Sequence, residues 1–141
     1  MPIRTHPGLG AIVVCDFNQG FCVPEMVKRR PCVVIAPRIS VRAGLCTVVP
    51  LSTTVPEPFM AYHCRLNLQR PLPPPWDSKE IFVKADMVNS VAFHRLDLVR
   101  TGKGEDGKRA YYLEPLPDDD LRRIRECILC SLGLASLKKH L

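Results

Sequence analysis

Three short polar clusters in this chain hold the residue types that can do phosphate and acid–base chemistry. Lys28-Arg29-Arg30-Pro31 stands directly before an apolar run, Ser52-Thr53-Thr54 directly after one, and Lys84-Ala85-Asp86 closes a third. Singly, each has an ordinary explanation. A basic triplet is a solvated face, Ser and Thr after a strand cap a turn, and a Lys-x-Asp pair is a surface ion pair worth little. In combination they supply what metal-free cleavage of an RNA phosphodiester needs. A carboxylate can take the proton of the attacking 2′-hydroxyl. Arginine matches a phosphate with a planar fork and stays charged. A hydroxyl can donate to a phosphate oxygen. Positioned acid–base groups give ~10²–10⁴-fold each and anion stabilisation gives comparable factors, so no metal or cofactor has to be invoked.

The bulk properties agree with a polyanionic partner. The 141 residues fit a single domain spanning 1–141, with hydrophobic residues at 46%, charged residues at 24% and a net charge of +6. A basic surplus favours nucleic acid through steering and counterion release. No apolar stretch reaches the ~18 residues of a membrane span, and Met1–Gly10 lacks the pattern of a secretory signal, so a cytoplasmic protein is expected. The seven cysteines are an odd number with no export signal, which argues against a disulfide framework. Cys127 and Cys130 form a lone CxxC inside a helical pattern, without a second pair at zinc spacing, and read as half-buried thiols.

These clusters need a rigid scaffold. Ala11–Phe17, Cys32–Ala36, Leu45–Leu51 and Met60–Leu66 read as strands, with Ile81–Val83, Val88–Phe93 and Arg95–Val99 as shorter ones. Asn18–Arg30 and Thr53–Pro58 are loops, and Arg38–Gly44 is a basic turn. The run Arg70–Trp76 is too rich in proline to pair in a sheet. Thr101–Lys108 reads as an exposed flexible loop, and its glycines do not make a phosphate-binding loop. Asp118–Leu132 is a helix: acids at its start, a stripe of Leu121, Ile124, Ile128 and Leu132, and Gly133 as its stop. His63 and His94 read as structural histidines, with proton shuttling the alternative. Trp76 reads as packing on the proline loop, with stacking on a base the alternative. Many short strands before one helix predict a mainly β protein, a small, curved antiparallel SH3-like barrel with a C-terminal helix.

The order of blocks is similar to that of the PemK/MazF toxins of type II toxin–antitoxin systems. Gly10–Phe17 (GAIVVCDF), Pro24–Ile35 (PEMVKRRPCVVI), Thr47–Thr53 (TVVPLST), Val83–Ser90 (VKADMVNS), Arg95-Leu96 and the closing helix follow that family's sequence of elements. The resemblance implies a metal-independent endoribonuclease that cuts single-stranded RNA by 2′-hydroxyl attack and so stops translation and growth. It implies a homodimer, and a cognate antitoxin that occupies the same groove and binds DNA as part of the complex. By the same resemblance Arg30 is the phosphate clamp and acid, Ser52 or Thr53 the phosphate donor, Lys84 a second cation and Asp86 the general base. Lys28, Arg29, Glu25, Thr54 and Arg38 are the flanking RNA contacts, and the loops Gly20–Val27 and Thr53–Pro58 wall the groove. The chain departs from the family at Ala11, where an acid is usual, and at Lys84, where some members have arginine. A non-enzymatic toxin on the same fold and an inactive member remain the alternatives.

Overall fold

The structure, a computed structural model, describes residues 1–141. Nine strands and one long helix follow in order: β1 Ile12–Asp16, β2 Arg29–Val34, β3 Leu45–Ser52, β4 His63–Asn67, β5 Glu80–Lys84, β6 Asn89–Ala92, β7 Leu96–Leu98, β8 Arg100–Lys103, β9 Arg109–Tyr111 and α1 Asp118–Ser131. Seven strands form one antiparallel sheet in the order β4-β5-β3-β2-β1-β7, with β6 also on β3. β3 is long enough to use one edge twice. Leu45–Val48 pairs with β6, and Leu51–Ser52 pairs with β5. The sheet therefore forks. One branch is the strongly curved arc β7-β1-β2-β3-β6, whose two ends are joined by the 3-10 turn Phe93–Arg95. The other is the wing β4-β5.

Alternation along β1, β2 and β3 sends side chains to two cores. Ile12, Val14, Val33, Val49 and Leu51 face the helix side, where Leu121, Ile124 and Cys127 of α1 cover them. Val13, Cys15, Cys32, Val34, Cys46 and Val48 face into the arc, with Phe17, Val91 and Leu96. β1 and β2 are buried on both faces, which is why their sequences are unbroken apolar runs. Gly10 has φ 83 and sits against α1, where a Cβ would come 3.1 Å from a Leu121 methyl. Only glycine takes that backbone without strain.

Two expectations need correction. Thr101–Lys108 is not simply a loop, because Arg100–Lys103 pairs with Arg109–Tyr111 in a bulged hairpin. Its ladder is made by backbone groups under mostly exposed polar side chains, so no apolar alternation announces it. Leu132 does not belong to the helix stripe and is 65% exposed. The helix stops one residue earlier. Gly133 N donates to Cys130 O and Leu134 N to Leu129 O, the paired bonds of a Schellman stop. Cys127 fills the buried position instead. In the proline segment Leu72 is buried, and Trp76 packs on the helix-side core.

Candidate active site

The inward positions of the arc change from apolar to polar at one end. Along β2 the inward series is Val34, Cys32, Arg30, and along β3 it is Val48, Pro50, Ser52. Cys32 pairs with Pro50, so the same register carried two residues outward sets Arg30 across from Ser52. Adjacent strands lie ~4.8 Å apart, within reach of both side chains. Ser52 in turn pairs with Phe82 of β5, and Phe82 with Arg65 of β4. One row across three strands thus reads Ser52, Phe82, Arg65, and Arg30 lies two residues beyond the last pair of the β2–β3 ladder, on the side of Ser52. The next row along the wing holds Lys84 opposite His63.

Each of these groups has a defined local state. Arg30 Nε donates to the Val27 carbonyl at 3.2 Å, while its two terminal nitrogens form no hydrogen bond or ion pair with the protein. Lys84 is half-buried and forms no ion pair. Asp86 is exposed on the 3-10 turn Ala85–Met87, where the edge of β3 passes from β5 to β6. Ser52 is 5% exposed, and its hydroxyl is occupied in a local turn. It accepts from Thr54 N at 3.1 Å and faces the Thr54 carbonyl at 3.4 Å. Thr53 beside it is exposed and carries the free hydroxyl. Thr54 is exposed and contributes its backbone to that turn.

The structure adds residues to the site that spacing alone did not pick out. His63 accepts a hydrogen bond from Met60 N on Nδ1 at 3.0 Å, so its Nε2 carries the proton when the ring is neutral. Burial holds its pKa below the usual histidine value; Asp86 opposes that shift and Lys84 reinforces it. His63, Lys84 and Asp86 therefore form one electrostatic cluster. Phe82 is buried under Phe59, with ring centroids 6.3 Å apart, and under the Arg65 guanidinium, 5.6 Å from its ring centre. Phe59 itself is half exposed. An alternating strand pattern marks His63 and Arg65 as sharing a face, but only the register shows that this face continues to Lys84.

Arg95 is the other addition. Its Nη1 donates to Gln19 O at 2.6 Å and lies 3.4 Å from Asp16 O, and its guanidinium stacks 4.8 Å from the Phe21 ring centre. It holds the β1–β2 loop from beneath. Gly20, at φ 80, leaves 3.2 Å between a built Cβ and that guanidinium.

The flanking candidates divide. Lys28 and Glu25 lie on the β1–β2 loop near Arg30, but the Glu25 carboxylate is turned to its own loop, accepting from Cys22 N at 2.9 Å. Lys28 is exposed at φ 73. Arg29 points to the opposite face of β2 and pairs with Asp97 at 3.4 Å. Arg38 lies beyond the other end of β2, where its charge acts on His6. The structure thus places neither Arg29 nor Arg38 on the face of Arg30. An adjacent residue on a strand faces the other way, and four residues past a strand end is outside the site.

Comparison with known proteins gives the family and the fold. Residues 9–132 match the model of the PemK-like, MazF-like toxins of type II toxin–antitoxin systems. The chain is 28% identical to the uncharacterized protein YifN of Escherichia coli (strain K12), over 97% of this chain and 99% of that one. Among solved structures it resembles an endoribonuclease in complex with its cognate antitoxin from a mycobacterial species. There the TM-score is 0.60 and the identity 17%, covering 91% of this chain and 96% of that one. It also resembles MazF from Deinococcus radiodurans, with TM-score 0.57 and 21% identity, covering 92% and 98%. At these identities the structural likeness carries the fold, and the family match covers all the strands and the helix. The chain belongs to the PemK-like, MazF-like toxin family of type II toxin–antitoxin systems.

Proposed function

We propose that this toxin is a metal-independent endoribonuclease acting on single-stranded RNA in the cytoplasm. The observation that carries the reading is the shared face: Arg30, Ser52 and Lys84 stand on three adjacent strands of one sheet surface, with Asp86 on the turn that follows. In the proposed reaction Asp86 takes the proton of a 2′-hydroxyl, whose oxygen attacks phosphorus. The bond to the 5′-oxygen breaks, leaving a cyclic phosphate and a 5′-hydroxyl end. The terminal nitrogens of Arg30 hold the non-bridging oxygens and supply the leaving-group proton. Lys84 adds a second positive charge, and Thr53 is the freer hydroxyl donor because Ser52 is engaged by Thr54. His63 donates from Nε2 as a neutral ring. Phe59 and the Arg65 guanidinium offer stacking surfaces for splayed bases, the usual mode of single-strand recognition.

The face is open in the single chain. A hollow at its β4 edge is bounded by Phe59, His63 and Arg65 and by Arg123 of the helix, and a second copy of the chain would wall the face. The mycobacterial neighbour was solved with its cognate antitoxin. An acidic, partly disordered antitoxin segment laid across Arg30, Lys84 and Arg65 would block RNA entry here. The test is incubation of purified protein with labelled single-stranded RNA in EDTA. Cleavage with 5′-hydroxyl products is expected. No cleavage of any single-stranded RNA, or cleavage abolished by EDTA, overturns the proposal.

A further inference from the structure

The largest cavity of the molecule, about 540 Å³, lies away from Arg30. It is formed where the N-terminal segment crosses β7, with Pro2 bridged to Asp97 and Ile3 N bonded to Leu96 O. Arg4, Arg29, Arg100 and Arg109 line it, together with Tyr111. The one carboxylate among its walls is Asp97, and that is already shared between Arg29 and the Met1 amine. Arg4, Arg100 and Arg109 form no ion pair.

The contrast with the other end of the molecule is informative. On the wing, the proline segment and the helix, Arg65, Arg70, Arg122 and Arg123 are each matched by a carboxylate, from Glu80, Glu114, Glu126 and Asp120 in turn, and Arg125 alone is left without one. Arginines without partners are thus concentrated on the N-terminal side. They continue past the cavity. Arg4 also lines a second hollow with Arg38 and Arg42, again free of ion pairs, and His6 there is pulled below its usual pKa by burial and by Arg38. Unneutralised like charges repel one another, so such an array is costly unless an anionic partner covers it.

The geometry points to a second RNA-binding surface, on which Arg4, Arg100 and Arg109 hold the phosphate backbone of the substrate strand beyond the bond that is cut. Its choice of polyanion rests on the ribonuclease reading. The arginine forks fit phosphate and carboxylate alike, and RNA is favoured over an acidic peptide by the half-buried ring of Tyr111 among these side chains, a face for a base. The two surfaces also meet. Arg30 and Arg29 are consecutive, one on each face of β2, so a strand leaving the first over the rim of β1 and β2 reaches the second. The toxin would then take long RNA in preference to short fragments.

The test uses the full chain and a long single strand of about 25 nucleotides with 2′-O-methyl groups, which binds but lacks the attacking hydroxyl. Affinity is measured across a salt series. The triple variant Arg4→Ala/Arg100→Ala/Arg109→Ala is expected to bind at least ~10-fold more weakly at 0.15 M salt, with the salt slope smaller by about 2, at ~0.7 per lost phosphate contact. A lysine triple at the same positions should recover most of the slope. The helix-side triple Arg70→Ala/Arg122→Ala/Arg125→Ala, with the same change in net charge, should bind like wild type. Equal weakening in both alanine triples would overturn the proposal, reducing the effect to net charge. So would an unchanged slope, or loss of polyglutamate binding without loss of RNA binding. Cleavage of a short oligonucleotide is read in parallel. If wild type cuts neither the short oligonucleotide nor an unmodified strand of the full length while the slope still depends on the three arginines, the ribonuclease reading falls and the second surface stands.

Discussion

The two faces of the strand trio β1-β2-β3 have opposite fates. The helix side is apolar through its centre and covered by α1, with Ile124 fully buried in one cluster with Val33, Val49, Leu51 and Val83, and polar only at its rim, where Asp16 and Arg29 stand. The arc side is apolar for most of its length and then gives way, at the last inward positions of β2 and β3, to Arg30 and Ser52. One face holds the strands at fixed spacing. The other uses that spacing to set a guanidinium, a hydroxyl and, from the next strand, an ammonium at neighbouring register positions. Positioning of this kind is what a phosphoryl reaction without a metal needs most, because its terms come from orientation and electrostatics.

If that division holds, substitutions should sort by face. The largest effect expected on the sealed side is Ile124→Ala, which should cost ~2–5 kcal/mol by cavity formation while leaving the specific activity of the folded fraction unchanged. Urea denaturation read beside cleavage checks this. A proportional loss of specific activity would show that the two faces are coupled. Next in size is the division of labour between two hydroxyls. Thr53→Ala should slow cleavage about tenfold with stability intact, whereas Ser52→Ala should cost ~1 kcal/mol by removing the turn to Thr54 and affect the rate little. The reverse pattern would make Ser52 the phosphate donor.

The smallest effect is a pH dependence. His63 and His6 are both held below 6.5 in the folded chain, each chiefly by burial. The unfolded chain therefore takes up their protons first as pH falls. Stability from these groups is complete above 6.5 and is lost progressively below it. The melting temperature should drop on acidification through that window, and the double variant His63→Gln/His6→Gln should flatten the drop. An unchanged profile in the variant would leave the acid loss to other groups.

Much of this was legible in the sequence because the signals were local. Unbroken β-branched runs marked β1 and β2, acids and Gly133 bracketed α1, and the block order carried the family. Arg30, Ser52, Lys84 and Asp86 could be named because each stands at or beside a strand end and the family resemblance falls on them. What could not be read was which face each side chain takes and which strand lies beside which. Arg29 looked like Arg30 until alternation placed it on the far face with Asp97. His63 looked structural until the register set it opposite Lys84. The β8–β9 hairpin stayed hidden because backbone bonds under polar side chains leave no periodic pattern.

The central claim is that Arg30 replaces a core residue at the mouth of the arc in order to hold a phosphate. It is tested most directly by comparing wild type and Arg30→Ala on one single-stranded RNA in EDTA, with the melting temperature measured in parallel. A loss of at least ~10²-fold in cleavage rate at nearly unchanged stability is expected. Undiminished cleavage by the alanine variant would contradict it.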